Sequence, residues 1–132
     1  MRLALLSCLL AAWVIGQSTP PAEKTPSAVP DRKAMYEAEI KPLLERSCTG
    51  CHSVAAKKRR GGFYADSIES LVKGGKENGP GITWGKPMES AVYLLAQANR
   101  NDELAMPPKK SKSQPLTPAE LATLRRWIET SR

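Results

Sequence analysis

The string Cys48-Thr49-Gly50-Cys51-His52 governs the reading of this chain. It contains the only histidine and two of the three cysteines. Two thiols three positions apart come close together on a helical turn, and an imidazole follows the second thiol directly. That order suits covalent attachment of a haem. Each thiol can form a thioether to one edge of the porphyrin, and the imidazole can stand beneath the ring and ligate iron. Three other chemistries compete for the same string. A thioredoxin-like redox pair sits at a helix start after a strand, and no strand pattern precedes Cys48. A structural zinc site usually takes four ligands; two thiols and one imidazole remain here once Cys8 leaves with the N-terminus. A disulfide between Cys48 and Cys51 suits an oxidising compartment, but it would staple only one local turn.

Upstream, residues 1–16 read as an export signal. Arg2 gives a short positive start, Leu3 to Ile15 is apolar apart from Ser7 and Cys8, and cleavage is expected after Gly16. The apolar run of about 13 residues is too short for a comfortable membrane span. An uncleaved signal would instead tether the domain to the membrane through its N-terminus. Leu5-Leu6-Ser7-Cys8 looks like a lipoprotein processing box, but its cysteine comes early in the apolar run rather than at its end. Residues 17–30 carry Pro20, Pro21, Pro26 and Pro30 with few side chains to bury. They are expected to form an extended, disordered linker. Bacterial haem attachment of this kind is extracytoplasmic, so the periplasm or a similar compartment is the expected location. A membrane-anchored form facing the periplasm is the alternative.

What remains, residues 31–132, is one domain. The whole chain has 132 residues, 41% of them hydrophobic, with eleven prolines and nine glycines. A core drawn from that composition is thin, and a bound cofactor would help complete it. The same composition argues against a large α/β enzyme. The formal net charge of +7 favours acidic partners. The basic residues match no nucleic-acid-binding motif, so no nucleic-acid partner is expected.

The periodicity is helical. Asp31 can cap a first helix that places Met35, Ile40, Leu43 and Leu44 on one side with Tyr36 beside them. Pro42 should kink this helix or start a new turn leading to Cys48. Asp66 is expected to cap a short helix over 67–73 that Gly74 ends. A further helix is expected from Pro87 to about Gln97, burying some of Met88, Ala91, Val92, Leu94 and Leu95. The last helix has the clearest signature. Thr117, Pro118 and Glu120 make a capping box, and Leu121, Leu124, Trp127 and Ile128 form one stripe. Trp127 and Leu124 should meet Tyr36 and Ile40 where the first and last helices cross. Residues 57–64, 74–86 and 109–115 read as loops, and no convincing strand is expected.

An electron-carrying haem iron needs a sixth ligand. Met106 is the best candidate, because Pro107 and Pro108 stiffen the segment that follows it. It lies far enough from His52 in sequence for the chain to pass around a haem. Met35 and Met88 are expected in the core. Arg59, Arg60, Trp84 and Lys86 are candidates to meet the haem propionates, by forked guanidinium contacts, a lysine charge or the indole N–H.

The chain resembles the planctomycete-type cytochrome c domain, related to the class I cytochromes c. The resemblance rests on Ile40 to Leu44, the haem string, Ser70 to Gly75, Gly79-Pro80-Gly81-Ile82, Gly85-Lys86-Pro87, Ser90, Tyr93, Leu94, Met106-Pro107-Pro108, Leu116 and Leu124 to Ile128. It implies an all-α, small class I cytochrome c-like fold with helices wrapped around one covalent haem. It also implies Cys48 and Cys51 as thioether anchors, His52 as proximal ligand and Met106 as distal ligand. A carbonyl in the Gly79–Gly81 turn, beside Pro80, is implied as the acceptor for the second His52 nitrogen. The lysine-rich loop after Pro108 and Trp84 after the Gly-Pro turn depart from the usual pattern.

The expected function is electron transfer outside the cytoplasm through one haem c with His/Met ligation, the iron cycling between Fe(II) and Fe(III). The chain is then not an enzyme. A haem enzyme or small-ligand sensor with an open or displaceable sixth site is the alternative. Its partners would be a redox donor and acceptor with acidic docking surfaces, met by Lys109, Lys110 and Lys112, and a monomer is expected.

Overall fold

The computed structural model describes residues 31–130. The export signal expected at 1–16 and the linker expected at 17–30 lie outside those residues. The fold is mostly helical. It contains α1 (Arg32–Met35), α2 (Lys41–Ser47), α3 (Ile68–Lys73), α4 (Ala91–Gln97) and α5 (Pro118–Thr130).

The first two helices are parts of one rod. Asp31 caps it by accepting from the Ala34 N–H at 2.7 Å. Between α1 and α2 the backbone widens into a π-helical segment, Tyr36–Ile40, and Lys41 N–H bonds back to the Tyr36 carbonyl. Pro42 supplies the reason: it has no N–H, and its ring crowds the carbonyl four residues earlier. The kink expected at Pro42 is therefore taken up as a π turn. α2 continues through it and delivers the chain to Cys48.

α5 is closed by the capping box. Thr117 N–H donates to Glu120 Oε2 at 2.7 Å, and Glu120 N–H donates to Thr117 Oγ1 at 3.3 Å. Its inner face buries Leu124, Trp127 and Ile128. Trp127 meets Tyr36 at 5.8 Å between ring centroids, with Ile40 and Leu124 in the same buried cluster. Arg46–Glu120 and Arg126–Glu39 ion pairs, both 2.7 Å, tie α5 to the N-terminal rod. Both are largely solvated, and each contributes roughly 1 kcal/mol or less.

Several local expectations are corrected. Ser67, not Asp66, caps α3, its Oγ accepting from Ser70 N–H at 3.1 Å. Asp66 instead accepts from Val54 N–H at 2.7 Å. The helix expected from Pro87 breaks at Ser90 into a 3-10 turn, Pro87–Glu89, and then α4. Ser90 causes the break: its buried hydroxyl accepts from Thr83 N–H and donates to the Lys86 carbonyl at 2.9 Å each. Met88 thus lies outside the core, 59% exposed, and Leu94 is also exposed. A small antiparallel hairpin exists where none was expected, pairing β1 (His52–Ser53) with β2 (Lys58–Arg59).

The segment after α3 crosses that helix at backbone contact. A Cβ on Gly81 would fall 2.1 Å from the Leu71 carbonyl oxygen, and one on Gly74 would fall 2.1 Å from that of Gly79. Gly74 also has φ +74°, which ends α3. Only glycine fits this crossing, and it brings Gly81 onto a large cavity beside the haem string.

Candidate cofactor site

The end of α2 builds the first wall of that cavity. Cys48 N–H and Thr49 N–H both bond to the Leu44 carbonyl, at 2.7 and 2.9 Å. Cys51 N–H and His52 N–H both bond to the Cys48 carbonyl, at 3.1 and 3.0 Å. The five-residue string is therefore wound into a tight turn. The hairpin anchors its exit, where the His52 carbonyl accepts from Ala65 N–H at 2.7 Å. Phe63 packs against the His52 ring at 5.3 Å between centroids.

α4 and the loop after it build another wall. Met106 N–H donates to the Leu95 carbonyl at 2.9 Å, which docks the Met106 segment on α4. The Met106–Pro107 peptide is cis. Cys48, Cys51, His52 and Met106 all line one cavity of about 740 Å³. Phe63, Val92, Leu95 and Leu116 give it an apolar surface. Arg60, Lys110 and Lys112 add positive charge, with Glu77 as the one acidic lining residue among the described residues.

The donors fit a covalent haem. The cavity lies within the size range of cofactor pockets. Both thiols are free. Burial pushes the Cys48 thiol up to about 12, so it is protonated at neutral pH. Among the described residues no group of three His, Cys, Asp or Glu side chains could hold a metal ion. Burial also lowers the His52 pKa, and the Arg60 charge adds to this, while backbone groups of Phe63 and Arg60 act the other way. A neutral imidazole is the form that ligates iron. His52 Nδ1 is buried without a hydrogen-bond partner. Such an atom is costly, and a bound group that takes a ring nitrogen or reorients the ring removes that cost.

The other expected residues are divided. Arg60 faces the cavity. Arg59 does not line it; its guanidinium lies over Tyr64 and its Nε donates to the Gly62 carbonyl at 3.1 Å. Trp84 is absent from the lining and packs edge-on against Trp127 at 4.9 Å, with Arg32 over its ring at 3.8 Å. Its indole thus belongs to the seam between the terminal helices. Lys86 pairs with Glu89 at 3.0 Å, also away from the lining. Pro80 is outside the lining too. In the turn expected to serve His52, the Pro80 and Gly81 carbonyls accept from Ala91 and Val92 N–H at 3.1 and 3.0 Å. Backbone groups of Phe63 and Arg60 lie near the imidazole.

Lys110 and Lys112 reach the cavity, whereas Lys109 donates to Asn101 Oδ1 at 2.9 Å. Phe63 is a cavity residue that the sequence did not single out; its only signal there is aromatic character shortly after the haem string.

Neither a curated protein nor a solved structure matches the chain. Residues 48–110 match the family model described as planctomycete cytochrome C. That stretch begins at the first thiol of the haem string, includes Met106 and ends in the lysine-rich loop, and over it the chain is similar to the planctomycete cytochrome c family.

Proposed function

We propose that the protein is a one-electron carrier working outside the cytoplasm, with one haem held covalently by Cys48 and Cys51 and ligated by His52 and Met106. The observation that carries this reading is the convergence of these four side chains on one cavity. When bound, the haem supplies an iron that alternates between Fe(II) and Fe(III).

The residues divide the remaining work. Cys48 and Cys51 fix one edge of the group on the rigid turn after α2. His52, kept neutral by burial, offers a strong nitrogen donor on the same turn. Met106 offers a soft thioether, which favours the reduced iron more than a second histidine would and raises the potential. Phe63, Val92, Leu95 and Leu116 would surround the bound group with apolar side chains and keep water from it. Arg60, Lys110 and Lys112 offer charge to the propionates or to an acidic redox partner. No substrate bond is made or broken, and the redox partners are proteins that donate or accept the electron.

The test is the absorption spectrum of the chain matured with haem-attachment machinery. The ferric protein should show the weak long-wavelength charge-transfer band of methionine-bound iron. Met106→Ala should remove that band, and Met88→Leu should leave it intact. A wild-type spectrum of an open or exchangeable sixth site would instead favour a small-ligand sensor or haem enzyme.

A further inference from the structure

We propose that Arg100 is the positioning residue that holds the Met106 loop in its ligating shape. The inference rests on the reading of Met106 as iron ligand and extends it to a residue outside the cavity lining.

Pro107 and Pro108 stiffen the segment but remove two backbone donors from it. The segment must therefore be held through its carbonyls. Arg100, half-buried in the turn after α4, supplies the donors. Its Nη1 donates to the Pro107 carbonyl, and its Nη2 lies 3.5 Å from the Lys109 carbonyl. The Pro108 carbonyl between them accepts from Ser111 N–H at 2.8 Å. On the other side of Met106, its own N–H is fixed to Leu95. The methionine is thus bracketed by α4 before it and by the guanidinium after it.

The guanidinium is the right group for this task. Its planar fork presents several donors in fixed directions, so it can serve two carbonyls of one loop at once. No carboxylate among the described residues pairs with Arg100 within salt-bridge distance, so the fork is committed to the loop. Lysine could keep the charge but not the fork. Loss of the fork would let the loop swing and the thioether leave the iron more readily.

The test compares matured wild type, Arg100→Lys, Arg100→Gln and a surface control, Arg125→Gln on α5. Imidazole is titrated into the ferric protein, and the loss of the methionine charge-transfer band is followed. Both Arg100 variants should keep covalent haem. Arg100→Gln should bind imidazole about ten-fold more tightly, the change that about 1.4 kcal/mol gives. Arg100→Lys should lie between it and wild type, and Arg125→Gln should match wild type. Amide exchange at Met106 and Ser111 should quicken in the same order. A present band with unchanged imidazole affinity and exchange in both Arg100 variants would overturn the role of Arg100 alone. Absence of the band from wild type would overturn the Met106 reading and this role with it.

Discussion

Trp127 donates its indole N–H to the Arg32 carbonyl at 3.0 Å, joining residues 95 positions apart. The bond lies where the terminal helices meet, beside the Tyr36 and Trp84 rings. It explains why a thin core closes: one fully buried indole uses its apolar body and its polar tip together.

Trp127→Phe should therefore cost about 1–3 kcal/mol, from the lost indole hydrogen bond and the lost ring volume. The check is the midpoint of denaturant unfolding at constant slope. The haem spectrum should change little, because Trp127 does not line the cavity.

The glycine crossing gives a sharper contrast. Gly81→Ala places a methyl 2.1 Å from a backbone oxygen that has no rotamer to yield. It should cost about 3 kcal/mol or more, at the severe end for one substitution. Gly50→Ala in the haem string meets only Ser113 Oγ at 3.7 Å. It should stay within about 0.5 kcal/mol of wild type. Thermal unfolding of the two haem-loaded variants side by side checks both.

Glu120 makes part of the stability pH-dependent. The Thr117 backbone N–H is the largest cause holding its carboxyl below the ordinary value of 4.5, and Arg46 adds to the effect. A folded pKa below the unfolded one means a contribution that is full above the unfolded value. It is lost as pH falls through the folded value. Glu120→Gln should accordingly destabilise at pH 7 by about 0.5–1 kcal/mol, the worth of a capping contact. The gap between wild type and variant should close in acid, as read from denaturation curves between neutral pH and pH values below that of the folded carboxyl.

Much of this architecture was legible from local chemistry. The capping box Thr117–Glu120, the stripe ending at Ile128 and the Asp31 cap each depend on residues within one or two turns. The haem string and Met106 stand out in the sequence because their residue types are rare there, and the fold brings them to one cavity. The failures share a different origin. Ser67 replaces Asp66 as cap because Asp66 is drawn to Val54 across the chain. Met88 is expelled because the Ser90 hydroxyl bonds back to Thr83 and Lys86. Trp84, a candidate for the propionates, packs edge-on against Trp127 with Arg32 over its ring. Each outcome depends on a partner that no window around the residue contains. Arg100 was missed for the same reason, because its role exists only once the loop folds back on it.

The lysine-rich loop divides in function. Lys110 and Lys112 border the cavity, while Lys109 is held by Asn101. Lys110→Gln with Lys112→Gln should slow reduction by an acidic redox partner at low salt and converge on wild type at high salt. Lys109→Gln should have the smaller effect. Stopped-flow rates across a salt series decide this, and equal slopes for all three proteins would leave the lysines as plain solvated charge.

The most direct measurement is the mass of the matured chain after denaturation and acid-organic extraction. A single haem should stay on the polypeptide, with the colour and added mass of one group. Cys48→Ala or Cys51→Ala should leave at most one thioether, and the double variant should release the haem entirely. A wild-type chain that emerges at its bare polypeptide mass, with free haem in the organic phase or none at all, would contradict covalent attachment at Cys48 and Cys51.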